Sequence, residues 1–226
     1  MIKLRASSAL FAVAALLFGN AALSMNSDQV SVPAPPNDVG GEIGIQYSQT
    51  AQYRKEFRAA VAQAKKFCAN YIAQNPHERN LCVVSDIDET VLDNRPHVRR
   101  VGNDQNWDKF EEWLKASEAP ELKPTADFLK WARRHQIAVF FVTGRPESDR
   151  TPTIINLLRH QIGYDGLYFR THHGKEPAEV YKTRVRTQIE DQGFKIIENI
   201  GDQYSDLAGG HSLDCQKLPN KMSFIP

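Results

Sequence analysis

Two aspartates follow directly on a short apolar run, and they give the strongest chemical signal in the chain. Residues 81–84, LCVV, are apolar with two β-branched side chains, which predicts a buried strand. Asp86 and Asp88 come just after it, two positions apart. Two carboxylates at the end of a buried strand are costly unless a cation, a proton or a ligand uses them. The alternative is a capped turn, but the pairing predicts a working site.

A second acidic pair lies near the C-terminus in a similar setting. Residues 195–201, KIIENIG, predict another buried strand, and Asp202 and Asp206 follow it. Thr143 ends a third apolar run, IAVFFVT, and Lys182 lies in a helical segment that precedes the second acidic pair. By themselves Asp206 fits a helix cap and Lys182 fits a solvated helix charge. Together with the first pair they predict a site built from several strand ends.

These residue types suit phosphoryl transfer. Clustered carboxylates without a histidine or cysteine partner favour a hard cation such as Mg²⁺, which takes one or two carboxylates plus water and substrate phosphate. A carboxylate can also act as the nucleophile and form an aspartyl phosphate. A lysine and a threonine hydroxyl can then neutralise and orient the phosphoryl oxygens.

The elements that must position these residues alternate between helix and strand. Helical periodicity or capping marks five segments, near residues 48–74, 104–116, 123–135, 151–163 and 176–192. Strands are predicted for 81–84, 137–143, 167–169 and 195–201, with a short edge strand within 213–226. This alternation predicts an α/β fold with a Rossmann-like parallel sheet and helices on both faces. Ligands in such sheets bind beyond the carboxyl ends of the strands.

The N-terminus has the pattern of a removable export signal. A basic start is followed by an apolar run of about ten residues and by the small residues of a cleavage site, so residues 1–24 are predicted to be a signal peptide. The run is short of the roughly twenty residues of a membrane-spanning helix. We therefore expect an exported protein, periplasmic or secreted, without a stable membrane anchor. Residues 25–44, rich in Pro, Asn, Asp and Gly, predict a flexible arm.

Bulk properties allow one sizeable domain and argue against a nucleic-acid partner. The chain has 226 residues and a formal net charge of +1. Loss of residues 1–24 removes Lys3 and Arg5 and no acidic residue, and so changes the formal charge to −1. A basic surface for nucleic acid gains no support from this balance. The oligomeric state stays open.

The three cysteines leave two alternatives open. Cys68, Cys82 and Cys215 match no zinc-binding spacing. One disulfide with a spare thiol would suit an oxidising compartment, and three buried reduced thiols would suit a hydrophobic core.

The motifs also resemble a known family. Residues 86–90 (DIDET), Thr143, Lys182 and residues 201–206 (GDQYSD) are similar to the four motifs of the haloacid dehalogenase superfamily. Within it, the four-aspartate arrangement resembles the secreted acid phosphatases of subfamily IIIB, which are related to plant vegetative storage proteins. The resemblance covers about residues 45–226 and implies one phosphatase domain.

The resemblance also implies a cap and a role for each catalytic residue. A small helical cap would be inserted at about residues 94–124. Asp86 would attack phosphorus, and Asp88 would protonate the leaving oxygen and later activate water. Thr143 would hold a phosphoryl oxygen, and Lys182 would steady the charge of the intermediate.

The metal set and the activity follow from the same resemblance. Mg²⁺ would be held by Asp86, Asp202 and the backbone carbonyl of Asp88, and Asp206 would be either a further ligand or a partner that orients the ligands. The expected activity is hydrolysis of a small phosphomonoester, with nucleotides and sugar phosphates as candidates. Two alternatives stay open, namely transfer of the phosphoryl group to an alcohol, and a non-catalytic storage or binding protein on the same fold.

Overall fold

The computed structural model describes residues 28, 30–34, 37, 39–101, 106–171 and 176–225. The helices are α1 (Gly41–Gln49), α2 (Ala51–Gln74), α3 (Arg95–Val101), α4 (Trp107–Ala116), α5 (Lys123–Arg134), α6 (Arg150–Arg159), α7 (Ala178–Asp191) and α8 (Tyr204–Leu207). The strands are β1 (Leu81–Ser85), β2 (Ala138–Pro146), β3 (Gly166–Arg170), β4 (Lys195–Gly201) and β5 (Asp214–Lys217). The predicted signal peptide lies outside the described residues.

The five strands form one parallel sheet in the order β3-β2-β1-β4-β5. The predicted α/β fold is therefore confirmed. Every residue of β1 is buried, because helices cover both faces of the sheet. Chain connections run from β1 outward to β2 and β3, and then return to the other side of β1 at β4. The polar ends of β1 and β4 consequently lie side by side.

Two hydrophobic clusters hold the sheet between its helices. The larger cluster packs Phe57 and Ala64 of α2 and Leu129 of α5 against one face. The smaller packs Tyr181, Val185 and Ile189 of α7 against the other. Burying a side chain of this size contributes about 1.5–3 kcal/mol. The cysteines belong to this interior, since all three are buried and none of them is joined in a disulfide.

The N-terminal prediction needs two corrections. Residues 41–44 belong to helix α1 and not to a flexible arm. The helix predicted for residues 48–74 is interrupted at Thr50, which caps α2 by accepting a hydrogen bond from the Tyr53 N–H at 3.0 Å. Thr50 is extended, and this lets the chain turn between α1 and α2.

The cap also differs from its prediction. The segment between Asn94 and the helix predicted near residue 104, to which the sequence assigns no element, contains helix α3. Helix α4 begins at Trp107, because the Asn106 side chain accepts a hydrogen bond from the Asp108 N–H at 2.8 Å. The insertion between β1 and α5 is therefore helical, as predicted, with two short helices where one was expected.

Strand β2 runs three residues beyond its predicted end at Thr143 and stops at Pro146. Its pairing with β3 shifts between Val142 and Pro146, so the strand continues past an irregularity that no local pattern signals. Within the described part of the chain, no helix is long and apolar enough to cross a membrane.

Candidate active site

The site lies where the strand order reverses. Asp86 follows β1 and Asp202 follows β4, and these neighbouring strands lead into connections that leave the sheet in opposite directions. The crevice at such a reversal is where open parallel sheets bind ligands. The Asp86 N–H donates to the carbonyl of Ile200 at 3.0 Å, which ties the two strand ends together.

Three of the four predicted aspartates form one carboxylate cluster. Asp86, Asp202 and Asp206 each offer an oxygen, and these oxygens lie within 4.8 Å of one another. All three residues are buried. Burial raises the pKa of Asp86 well above its usual range, and the negative charges of Asp206 and Asp202 raise it further against the opposing charge of Lys182.

Lys182 provides the positive charge at this cluster. Its ammonium donates to Asp86 Oδ1 at 2.7 Å and also to Asp206 Oδ1. Burial alone would lower the pKa of Lys182, but the charges of Asp206 and Asp86 raise it above its ordinary value. The helix charge that sequence alone would leave in solvent is therefore a buried ion-pair partner.

Asp202 is held by side chains from three segments. Its Oδ1 accepts a hydrogen bond from Thr90 Oγ1 at 3.2 Å, and its Oδ2 accepts bonds from Gln203 Nε2 and Asn220 Nδ2, each at 2.6 Å. Burial and the charge of Asp206 raise the pKa of Asp202 to about 6. Its orientation is thus fixed by neighbours on both oxygens.

Asp206 is positioned by the short helix α8. Its Oδ2 accepts a hydrogen bond from the Gln203 N–H at 2.7 Å, which closes a capping box at the start of that helix. A side chain at Gly201 would collide with the Asp206 carboxyl group, so a glycine is needed there. Asp206 therefore fills both roles weighed from the sequence, a helix cap and a member of the cluster.

The side chain of Asp88 does not join the cluster. Arg145 donates to it from Nη2 to Oδ1 at 2.6 Å and from Nε to Oδ2 at 3.0 Å, and Asn94 Nδ2 donates to Oδ1 at 2.7 Å. Trp113 Nε1 in turn donates to Asn94 Oδ1 at 2.8 Å. Burial tends to raise the pKa of Asp88, but Arg145 and Asn94 outweigh it and hold the pKa below its usual range.

Thr143 lies deeper than its predicted role suggests. It is fully buried, and its Oγ1 accepts a hydrogen bond from the Arg145 N–H at 3.1 Å. The adjacent Gly144 and Arg145 line the cavity described below, and the Thr143 side chain does not. Contact between Thr143 and a phosphoryl oxygen stays a prediction.

Sequence reasoning missed several residues of the site. In the sequence, Arg145 is marked only by its closeness to Thr143 and Thr90 only by its place in residues 86–90, and Asn94 and Asn220 have no chemical pattern of their own. Asn220 lies 18 residues from its partner Asp202, and Arg145 lies 57 residues from Asp88. Contacts of this length have no local sequence pattern, so only relatives or a structure can find them.

A cavity of about 410 Å³ opens above the cluster. Its cap side is mostly apolar, with Val98 and Val101 of α3 and Phe110 and Leu114 of α4. The C-terminal tail, which we define as residues 218–225, also lines the cavity and contributes Met222, Ser223 and Ile225. The cavity thus has the carboxylate cluster at its floor and largely apolar side chains along its walls.

His97 lines the same cavity from the cap side. Its ring lies between those of Phe110 and Trp113, with centroids 5.5 and 5.8 Å away. Burial and the charge of Arg100 lower the pKa of His97. Its buried Nδ1 has no hydrogen-bond partner among the described residues.

The donor set of the cluster fits a small hard cation. Three carboxylate oxygens lie close enough to share one ion, and the ammonium of Lys182 already bridges two of the carboxylates. Oxygen ligands of this kind suit Mg²⁺. Asp86, Asp202 and Asp206 would hold the ion.

Comparison with known proteins agrees with this geometry. The family model described as HAD superfamily, subfamily IIIB (acid phosphatase), matches residues 20–226. Acid phosphatase 1 of Solanum lycopersicum is 34% identical over 152 residues, which are 63% of this chain and 58% of that protein. The chain therefore spans less than two thirds of that relative. The stem 28 kDa glycoprotein of Glycine max is 30% identical over 190 residues, 80% of this chain and 72% of that protein.

A solved structure shows the same fold. The class C acid phosphatase from Bacillus anthracis superimposes with a TM-score of 0.63 at 22% identity, covering 80% of this chain and 84% of that chain. The resemblance stated from the motifs is confirmed by the family match, and the fold by this superposition.

Proposed function

Because this chain belongs to the HAD superfamily, subfamily IIIB, the acid phosphatases, we propose that its carboxylate cluster hydrolyses phosphomonoesters through an aspartyl phosphate. The chain is a phosphomonoesterase by family. The proposal adds the covalent intermediate, the metal and the residue roles. The observation that carries it is the placement of buried Asp86 beside Lys182, Asp202 and Asp206 at the floor of an accessible cavity.

In the first half-reaction a carboxylate oxygen of Asp86 attacks phosphorus, and the bond from phosphorus to the alcohol oxygen breaks. The leaving alkoxide takes a proton from Asp88, so the alcohol departs neutral. Arg145 holds Asp88 as an ionised partner in this structure. The acid step therefore requires that the arriving phosphate, itself an anion, loosens the ion pair so that Asp88 can carry a proton.

In the second half-reaction Asp88 acts as the base. It takes a proton from water, the hydroxide attacks phosphorus, and the bond from phosphorus to Asp86 breaks. Inorganic phosphate leaves, the Asp86 carboxylate is restored, and the proton on Asp88 serves the next turnover. Lys182, within 2.7 Å of Asp86, neutralises the charge that builds up around the phosphoryl group.

A bound Mg²⁺ would supply charge neutralisation for the phosphoryl oxygens and the nucleophile. Asp86, Asp202 and Asp206 are the side chains placed to hold it, together with the carbonyl of Asp88 by family resemblance. Asn220, Gln203 and Thr90 orient Asp202 for that task.

The cavity walls suggest the kind of ester that binds. Apolar side chains from the cap, such as Phe110, and from the C-terminal tail, such as Ile225, line the cavity of about 410 Å³. Such walls favour a flat or apolar alcohol portion over a highly charged one. Arg170 is a further cation at the rim. We therefore propose a small monoester whose alcohol portion carries an aromatic or apolar group, as the base does in a nucleoside monophosphate.

The test is phosphate release from 4-nitrophenyl phosphate by the chain lacking residues 1–24. The assay compares Mg²⁺ with a chelator, and the natural protein with the Asp86→Asn variant, whose fold is checked by circular dichroism. The proposal expects activity that needs both the metal and Asp86. Full activity of a folded Asp86→Asn protein would overturn it.

Two alternative functions are compatible with the same site. Transfer to an alcohol acceptor would appear as a phosphorylated product when an alcohol is added to the assay. A storage role is favoured by the names of some relatives, such as vegetative storage protein 1 of Arabidopsis thaliana, 26% identical over 148 residues. Turnover by the natural protein and its loss in Asp86→Asn would decide against storage alone.

Export is proposed from the sequence pattern of residues 1–24. Expression of the full chain in a bacterial host, followed by fractionation and an intact mass of the recovered protein, tests it. Recovery of uncleaved protein from the cytoplasm would contradict it.

A further inference from the structure

The C-terminal tail reaches the carboxylate cluster directly. Asn220 Nδ2 donates to Asp202 Oδ2 at 2.6 Å, and its own Oδ1 accepts the Met222 N–H at 2.7 Å. Further along, the Ile225 N–H donates to Gln203 Oε1 at 3.0 Å, and Ser205 Oγ donates to the Ile225 carbonyl at 2.9 Å. The tail is thus hydrogen-bonded along its length to the loop that carries Asp202.

Helix α1 fastens the outer side of the same tail. The Gly40 N–H donates to the Lys221 carbonyl at 2.7 Å, and the Lys221 ammonium lies 5.2 Å from the centre of the Tyr47 ring. Gly44 touches the backbone of Lys221 and Met222 so closely that an added Cβ would overlap it. Only glycine allows this approach, so the helix and the tail are fitted backbone to backbone.

The other end of α1 contacts the cap side of the cavity. Helix α1 packs against α3, which carries Val98 and Val101 of the cap side. Arg95, at the start of α3, donates from Nη1 to the Ser48 carbonyl at 3.1 Å. Helix α1 therefore contacts both the tail and the cap.

We propose that α1 is a brace that positions the metal site through the tail, with Asn220 as the positioning residue for Asp202. Asn220 and Gln203 both donate to Asp202 Oδ2 at 2.6 Å, so Oδ1, whose hydrogen bond from Thr90 is longer at 3.2 Å, is the oxygen offered to a cation. The close approach of Gly44 to the tail backbone keeps Asn220 within hydrogen-bond distance of Asp202. The inference rests on the proposed function, because it assumes that Asp202 binds Mg²⁺.

The physical reason is that a carboxylate free to rotate must be ordered when it binds a metal. A hydrogen bond that fixes the carboxylate before the metal binds removes the entropic cost of ordering it. Loss of such a hydrogen-bond partner typically weakens metal binding about 10- to 100-fold. A substitution at Gly44 acts from outside the site, since no atom of that residue contacts the carboxylates.

The experiment is isothermal titration of the metal-free protein with MgCl₂, at a temperature well below the unfolding midpoint of every variant. Asn220→Ala removes the hydrogen bond to Asp202, and Gly44→Ala displaces the tail. Ile43→Ala is the matched control, because Ile43 lies on the same helix and is 60% exposed. We expect Mg²⁺ dissociation constants about tenfold or more weaker for the first two variants, and an unchanged constant for the control.

The outcomes separate this inference from the proposed function. If the natural protein binds no Mg²⁺, the metal part of the proposed function fails and the inference fails with it. If it binds Mg²⁺ and both folded variants bind equally well, the inference alone is wrong. Equal weakening in Ile43→Ala would also overturn it, because the effect would then reflect loss of α1 and not the position of the tail.

Discussion

The guanidinium of Arg145 grips both oxygens of the Asp88 carboxylate, with Nη2 2.6 Å from Oδ1 and Nε 3.0 Å from Oδ2. Arg145 is itself 4% exposed, and its Nη1 donates to Thr153 Oγ1 at 2.8 Å. Because the buried guanidinium of Arg145 is fixed by Thr153 and pairs with both carboxylate oxygens of Asp88, it controls the orientation of Asp88, the proposed acid–base group.

Replacing Arg145 with lysine tests this control. A lysine keeps the charge but cannot hold both oxygens of Asp88 in a fixed plane. Hydrogen bonds to charged groups contribute about 1.5–3 kcal/mol, so kcat/KM for an aryl phosphate should fall about tenfold to hundredfold. Arg150→Lys is the control, because Arg150 pairs with Glu147 at the surface. Natural activity in Arg145→Lys would show that the pairing has no catalytic role.

Replacing Lys182 with methionine should destabilise the metal-free protein. Asp86 and Asp206 would keep their burial and lose their cation, and breaking a buried ion pair costs about 3–5 kcal/mol. Urea denaturation without metal should show that loss in the free energy of unfolding. Saturating Mg²⁺ should reduce it, since a second cation then balances the carboxylates. Lys123→Met, at an exposed ion pair, should change little. A loss that is the same with and without Mg²⁺ would argue against a metal at this cluster.

Truncating Phe110 to alanine should change substrate preference more than catalysis. Phe110 lines the cap side of the cavity, away from the carboxylates. Loss of its ring should lower kcat/KM for 4-nitrophenyl phosphate about tenfold relative to a short alkyl phosphate, because contact with an apolar pocket is worth about 1–3 kcal/mol. Phe67→Ala removes an equal ring from α2, where Phe67 stacks on Tyr71. An equal loss for both esters in Phe110→Ala would place the leaving group elsewhere.

The buried carboxyl group of Glu198 predicts a dependence of stability on pH that does not involve the active site. Glu198 has no exposed surface and is the register partner of Asp214 on β5. Burial raises the pKa of Glu198 well above 4.5, and the charge of Asp214 raises the pKa further. Gln216 Nε2 donates to Asp214 at 3.2 Å from the same strand. Cys68 of α2 and Cys215 of β5 are the other titratable groups whose pKa this pair raises.

The sign follows from proton binding. Above about pH 4.5 the unfolded chain releases the Glu198 proton and the folded protein keeps it, so the free energy of unfolding falls as pH rises, by up to about 1.4 kcal/mol per pH unit. Glu198→Gln removes this proton. Urea denaturation between pH 5 and pH 8 should therefore show a smaller decline in the variant than in the natural protein. Parallel declines would mean that Glu198 is ionised in the fold.

Local sequence predicted the parts of the site that follow from a strand and its end. Asp86 and Asp202 stand directly after apolar runs, and the alternation of helices and strands was sufficient to place both at the same edge of a parallel sheet. Lys182 was predicted as a site residue from its position in the chain. Its burial had no local signal, because residue type does not indicate which side of this helix is buried: the apolar Val180 is 51% exposed and the charged Lys182 is buried.

Other parts could not be predicted from local pattern. Helix α1 lies partly in a segment rich in turn-forming residues, and its glycines favour helix weakly. It is helical in the fold, where Gly44 meets the backbone of the tail. Helix α3 begins after Asn94, where Arg95 is held by Asp93 and by the Ser48 carbonyl. In both cases contacts with distant residues accompany a helix that local propensity did not indicate.

The sequence by itself determined which carboxylates stand at strand ends, the order of the elements and the family to which the motifs belong. The tertiary structure decided the partner of each carboxylate, namely Arg145 for Asp88, Lys182 for Asp86 and Asn220 for Asp202. The physical reason is one of range. A strand followed by an acid is a local pattern, whereas a hydrogen bond between residues far apart in the chain depends on how the sheet, the cap and the tail pack, to within a fraction of an ångström.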